Sequence, residues 1–176
     1  MYPVSVIDGL VHQLGGWRLQ LECAQKPTIC NDDEKCPIGH AIKTSNGNKE
    51  LTSEYEYIIH TTPPFYLHDD NPTEGLEKCY KNSIDLAFSS STNKSKEVRV
   101  GCPILGSGAR GFSMDIAIQV AARMAVKWMK GDFITSNKMS PTEHTIAFGL
   151  LEAKDANEFK IVLGKMLSND VFIECR

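Results

Sequence analysis

The stretch of sequence that decides the fold runs from Cys102 to Phe112 and reads Cys-Pro-Ile-Leu-Gly-Ser-Gly-Ala-Arg-Gly-Phe. Its three glycines let the backbone approach a ligand closely and point several amide N–H groups at one place. The apolar residues before it predict a strand, and helical spacing after it predicts a helix over about 113–130. The apolar stripe of that helix predicts core packing and not a cofactor groove, and its residues are Ile116, Val120, Ala121, Met124, Ala125 and Trp128. Because the start of a helix adds unpaired N–H groups and the positive end of its dipole, this succession predicts an anion site.

The loop differs from the phosphate loop of nucleoside triphosphatases, which ends in Gly-Lys followed by Ser or Thr. A triphosphate with magnesium is therefore a poor fit, and a diphosphate is the better candidate. A tight strand-to-helix turn that binds nothing is the structural alternative.

Strands and helices alternate along the rest of the chain, which predicts an α/β fold with helices on the faces of a sheet. A break at Gly15-Gly16 separates the first two predicted helices, and the next two strands are joined by a hairpin-like connection. The predicted elements are helices over 4–14 and 17–24, strands over 41–44 and 55–61, a helix opening at 72, a strand over 145–151 and a helix over 155–167.

Composition predicts one domain, residues 1–176, because 41% of the 176 residues are hydrophobic and 23% are charged. The formal charge of −3 offers no positive field for nucleic acid or acidic lipid, so we expect neither partner. The sequence has neither an export signal nor a long apolar segment, so we expect an intracellular protein, cytoplasmic or nuclear, with no membrane span. Its irregularly spaced cysteines fit a reducing compartment better than a disulfide framework.

Four residues, Cys23, Cys30, Cys36 and His40, could be considered as zinc ligands, but the short Cys-x2–4-Cys knuckle of a structural site is absent. We therefore expect neither a metal nor a cofactor. Structural roles are the simpler interpretation of the buried thiols and of the remaining histidines on predicted elements. The residues concerned are Cys79, Cys102, His12 and His60.

Four ordered motifs resemble those of macrodomains, the modules that hold ADP-ribose. They are the stretches Cys36–Ala41, Tyr57–Thr61, Cys79–Ala87 and Cys102–Phe112. The resemblance implies a three-layer α/β/α fold with a mixed central sheet. It also implies that the glycine loop binds the diphosphate and that Phe112 lines a ribose. The implied phosphate-binding residues are Gly106, Ser107, Gly108, Ala109, Arg110 and Gly111. For Arg110, a side chain that points outward is an open alternative, since the amides already supply donors.

The segment Ile7–His12 is similar to the Val-Asp-Gly-x-Ile-His segment of the mono-ADP-ribosyl hydrolase branch. That similarity implies that Asp8 activates the water that attacks the ribosyl bond, with ADP-ribosylated proteins as substrates. A carboxylate in the first turn of a helix can instead serve as a favourable contact with the helix dipole. Three functions therefore stay open: a hydrolase, a non-catalytic reader of ADP-ribose, and a degenerate domain with a structural or protein-interaction role.

The segments that precede this helix in macrodomains include an adenine-binding aspartate, a central strand and an asparagine-rich loop, and Met1–Val6 resembles none of them. We therefore expect an N-terminally incomplete sheet, whose unpaired strand edges favour self-association. Four explanations stay open: the sheet closes over the gap, the tail at 170–176 adds a strand, another chain supplies one, or the sequence is truncated.

Overall fold

The computed structural model describes residues 7–29, 34–47, 51, 54–89, 97–132 and 144–173, with side chains as far as residue 168. Within these residues the chain alternates between helices and strands, which confirms the α/β class. The elements are α1 Ile7–Gln25, β1 Ala41–Ser45, β2 Tyr57–Thr61, α2 Pro72–Ser89, β3 Val98–Pro103, α3 Met114–Met129, β4 His144–Gly149 and α4 Ala153–Ile173.

The strands form two separate pairs. β1 and β2 are antiparallel, with Ala41 opposite Thr61, and β3 and β4 are parallel, with Val98 opposite His144. Among the described residues, β2 and β3 share no pairing, so the expected mixed sheet is present as one antiparallel and one parallel pair. Each of these two strands therefore keeps one edge that no described strand covers.

Helix α2 holds the two strand pairs together. Its Tyr80 hydroxyl accepts a hydrogen bond at 2.8 Å from the Leu105 amide, just after β3. On the other side, Tyr57 of β2 donates to the Ala87 carbonyl at 2.9 Å. One face of α2 is buried between these contacts, as its helical spacing of apolar residues predicts. The buried residues are Leu76, Cys79, Tyr80, Ile84, Ala87 and Phe88.

The main core lies between β3, β4 and helices α2, α3 and α4. Helix α3 packs against α4, and nine of its residues are buried. Aromatic rings contact one another within the core. The Phe88 ring stacks on that of Trp128 with centroids 5.5 Å apart, and the ring centroids of Phe148 and Phe159 are 4.8 Å apart. The prediction that the apolar stripe of α3 is core packing is confirmed.

Helix α1 is less deeply packed. Gly16, with φ 64° and ψ −165°, interrupts its helical geometry at the predicted break. Its main neighbour is β1, to which it is tied by Glu22, whose carboxylate accepts hydrogen bonds from the Ser45 hydroxyl at 2.6 Å and from the Ser45 amide. The hydroxyl bond lowers the pKa of Glu22. Leu10 and Trp17 of α1 are 43% and 67% exposed.

One of the four open explanations, an extra strand at 170–176, does not apply to Val171–Ile173, because helix α4 continues through Ile173. A helix satisfies its backbone groups locally, whereas a strand there would need a partner strand. Residues 174–176 lie outside the described part of the chain. None of the described helices is long and apolar enough to cross a bilayer.

Candidate functional site: the glycine loop between β3 and α3

The glycine loop is anchored to the core at both ends. Ile104 is buried, and Leu105 donates to the hydroxyl of Tyr80, which is fully buried. At the far end, Ser113 caps α3, because its side chain accepts the Ile116 amide at 3.4 Å. These anchors hold the loop between the end of β3 and the start of α3, as the sequence predicts.

Two glycines give the loop its shape. Gly106 has φ +85° and Gly111 has φ +79°, conformations that side chains rarely adopt. The loop is closed by hydrogen bonds from the Gly111 amide to the Gly108 carbonyl at 3.0 Å and from the Phe112 amide to the Gly106 carbonyl at 3.2 Å. The loop conformation is therefore set by its own backbone.

The tip of the loop is open to a ligand. Among the described residues, the amides of Gly108, Ala109 and Arg110 have no protein acceptor. Gly108 and Ala109 are exposed, and a Cβ added at Gly108 would meet no atom within 4 Å. Backbone donors without a protein acceptor, beside a helix start, can bind an anion, although Asp115 in the first turn of α3 adds a negative charge nearby.

A second segment lies against the loop. The Tyr66 amide donates to the Arg110 carbonyl at 2.9 Å, and the Arg110 guanidinium lies 4.3 Å from the centre of the Phe65 ring. The Arg110 side chain is therefore held against an aromatic ring instead of extending freely into solvent. Sequence reasoning missed Phe65 and Tyr66, although two aromatic residues directly after Pro63-Pro64 at the end of β2 were a usable signal.

Phe112 lies beneath the loop. It is 3% exposed, and its ring centroid is 5.0 Å from that of Tyr66. A Cβ at Gly106 would approach Phe112 Cδ2 to 2.9 Å, so the ring packs directly under this glycine. In this conformation Phe112 supports the loop and presents almost no surface to a ribose.

Asp8 lies on α1, the helix that packs mainly against β1. Its side chain is 52% exposed, and its Oδ1 lies 3.5 Å from Nε2 of His12, one helical turn further on. The carboxylate is accessible and paired with a histidine.

The cysteines and histidines group differently from the zinc set considered from sequence. Cys30 lies outside the described residues, and the Cys36 thiol donates to the backbone carbonyl of His40 at 3.5 Å. Cys23 is instead close to His12 and His60, each offering a ligand atom within 4.8 Å of the others. Burial, followed by the charge of His12, lowers the pKa of His60, and burial raises the pKa of Cys23.

The two thiols expected to be buried lie away from this group. Cys79 is fully buried and donates to the Thr62 carbonyl at 3.3 Å. Burial raises the pKa of Cys102 to about 12. Both thiols therefore stay protonated near neutral pH, as expected of structural cysteines.

Comparison with known proteins places this geometry in a family. The sequence profile of the macro domain family matches residues 3–121, which include both Asp8 and the glycine loop. A macro domain-containing protein of Caldanaerobacter subterraneus is 26% identical over 129 residues, which cover 73% of this chain and 67% of the relative. One from Vibrio parahaemolyticus is 30% identical over 115 residues, covering 65% and 61%. The matched region thus spans about two thirds of the first relative and somewhat less of the second.

Solved structures agree with the sequence match. The Oceanobacillus iheyensis macrodomain, solved with ADP, superposes with a TM-score of 0.72 at 20% identity, over 94% of this chain and 78% of that one. The likeness establishes the fold, because the strands and helices coincide despite low identity. With the profile match over more than half of its length, the chain belongs to the macro domain family.

Proposed function

We propose that this chain binds ADP-ribose, free or attached to a protein, through the glycine loop. The tip amides of Gly108, Ala109 and Arg110 would donate to the diphosphate, and the positive end of the α3 dipole would add attraction. Membership of the macro domain family and the ADP-bound Oceanobacillus macrodomain support this choice of ligand.

The observation that carries the proposal is the open tip. A loop that served only as a strand-to-helix turn would not need exposed amides without an acceptor, and a side chain at Gly108 would meet no atom within 4 Å. The loop has no lysine of the P-loop kind and has Asp115 close to its end, so a more highly charged triphosphate fits less well.

Calorimetric titration tests this binding. ADP-ribose and ADP should bind, and AMP, which lacks the diphosphate, should bind more weakly. Gly108→Val should abolish binding without unfolding the chain, because the new side chain projects from the tip where the phosphates would approach. Gly164→Val on the exposed face of α4 is the matched control, since a Cβ there also meets no atom within 4 Å.

Two results would reject the binding proposal. One is a folded sample that gives neither heat nor a thermal shift with millimolar ADP-ribose. The other is equal affinity in the Gly108→Val and Gly164→Val variants. Loss of binding in both would instead point to general damage, which circular dichroism would detect.

Hydrolysis of the ADP-ribosyl bond is the second candidate function, with Asp8 as the base that activates water. Its accessible carboxylate and its place in a motif similar to that of the hydrolase branch favour this role. General-base assistance contributes a factor of about 10² to 10⁴ in rate. Asp8→Asn, which keeps the size of the side chain, should lower release of ADP-ribose from a modified protein by that factor and leave affinity unchanged.

The outcomes separate the three functions. Equal rates in the wild-type chain and Asp8→Asn would show that the mechanism taken from the family does not apply here. Binding without turnover in both proteins would identify a reader. Neither binding nor turnover would identify a structural or protein-interaction domain.

A further inference from the structure

A second group of reactive side chains lies away from the glycine loop, between α1 and β2. His12 and Cys23 belong to α1, and His60 belongs to β2. Each offers one atom, a ring nitrogen or Sγ, and these atoms lie within 4.8 Å of one another. We infer that His12, Cys23 and His60 form a zinc site, in contrast to the expectation of no metal.

The spacing is close to that of a zinc coordination sphere. Zinc binds sulfur at about 2.3 Å and nitrogen at about 2.0–2.1 Å in tetrahedral geometry, which puts sulfur and nitrogen ligands about 3.6 Å apart. Sγ of Cys23 is 3.8 Å from Nε2 of His60. This pair therefore already has the required separation. The third ligand atom, within 4.8 Å of the other two, needs to approach by at most about 1.5 Å, which side-chain torsions can supply.

The donor set selects the metal. A thiolate with two imidazoles suits zinc and its close chemical relatives, whereas magnesium and calcium prefer oxygen ligands. Three protein ligands leave a fourth position for water, because His12 and Cys23 keep part of their surface exposed.

Two neighbours contact the proposed ligands. Asp8 lies 3.5 Å from His12, and a carboxylate beside a metal-bound histidine orients its ring. The Thr44 hydroxyl lies 2.8 Å from Nε2 of His60, which it now hydrogen-bonds. When zinc takes that nitrogen, this hydrogen bond would be lost.

Zinc at this position would also link two elements of the fold. Helix α1 packs mainly on β1 and buries only Gly9, Gly15 and Leu19 among its described residues. Zinc bound here would join both segments of α1, on either side of Gly16, to β2. It would add a cross-link where side-chain packing is weakest, and on binding would displace the proton of the Cys23 thiol to solvent.

Metal titration of the full chain tests the inference. Chelator-treated protein should bind one equivalent of Zn²⁺ and unfold at a higher temperature with it. Co²⁺ should give a thiolate-to-metal charge-transfer band and the strong visible absorption of a tetrahedral site. Cys23→Ser should abolish that band and weaken Zn²⁺ binding more than the factor of about 10 to 100 expected for Asp8→Asn, which alters only the neighbouring carboxylate.

Cys36→Ser is the matched control, because Cys36 is another half-buried thiol that donates to backbone carbonyls and lies outside the group. It should keep the cobalt spectrum. If Cys23→Ser fails to fold by circular dichroism, His60→Gln replaces it with the same readout. The inference is overturned if the folded wild-type chain gives no cobalt–thiolate band, or if folded Cys23→Ser gives the same band.

The result is independent of ADP-ribose binding. The cobalt spectrum reports the metal site and calorimetry with ADP-ribose reports the glycine loop, so the two proposals have separate readouts. A chain that binds ADP-ribose without metal, or metal without ADP-ribose, would therefore separate the two proposals.

Discussion

The part of the chain from β3 to α4 and the part from α1 to β2 differ in how much they bury. Helix α3 buries nine residues, including Ile118, Met124 and Trp128, whereas α1 buries three, of which two are glycines. The proposed diphosphate loop thus sits on the densely packed part. The candidate base Asp8 and the inferred zinc ligands lie on the sparsely packed part. A rigid support suits a loop that must hold its amides in place. A metal cross-link adds most stability where side-chain packing is sparse.

The largest effect expected from this contrast is a change of oligomeric state. The edges of β2 and β3 that no described strand covers offer backbone groups with which another copy of the chain can pair. We expect the average mass to rise with concentration, as measured by multi-angle light scattering. A monomer whose mass and denaturant midpoint do not change with concentration would show that these edges are covered within the chain.

Matched leucine substitutions compare the main core with helix α1. Leu76 on α2 is fully buried in the main core, so Leu76→Ala should lower the free energy of unfolding by about 2–5 kcal/mol. Leu10 on α1 is 43% exposed, and Leu10→Ala should change the free energy of unfolding by less than about 1 kcal/mol. Urea unfolding measures both values, and similar losses would contradict the contrast in packing.

Matched glycine substitutions separate the shape of the loop from its openness. Gly106→Ala should lower the free energy of unfolding by about 1–2 kcal/mol, because φ is +85° at this position and the new Cβ would crowd Phe112. Gly108→Ala should be nearly neutral, since its Cβ meets nothing and its φ is not in the left-handed region. Thermal unfolding compares the two variants. A larger loss for Gly108→Ala would mean that the tip is packed in solution.

The smallest expected effect concerns ion pairs. Glu77 on α2 contacts both Arg123 and Lys127 of α3, and its side chain is 20% exposed. Glu77→Gln should lower the free energy of unfolding by about 0.5–1 kcal/mol, and this loss should be smaller in high salt. The control is Glu74→Gln, whose partner Lys78 lies one turn away on the same helix. It should change the free energy of unfolding by less, and an equal effect would show that the interhelical pair adds nothing.

The sequence by itself determined the order of the elements and the identity of the loop. Local rules suffice for these: helical periodicity marks α2 and α3, a serine can cap the start of a helix, and closely spaced glycines permit positive φ. The glycine break in α1, the antiparallel β1–β2 pair and the core stripe of α3 were predicted correctly for the same reason.

Only the tertiary structure decided what each side chain touches. Phe112 adjoins the loop in sequence, yet its ring packs beneath Gly106 and against the ring of Tyr66. Val171–Ile173 are apolar enough for a strand, but they continue α4, where the backbone is satisfied locally. The residues of the inferred zinc site lie far apart in sequence, and no local pattern predicts that His60 reaches α1. Contacts of this kind depend on how α1 crosses the β1–β2 pair, because local periodicity carries no information about distances between elements.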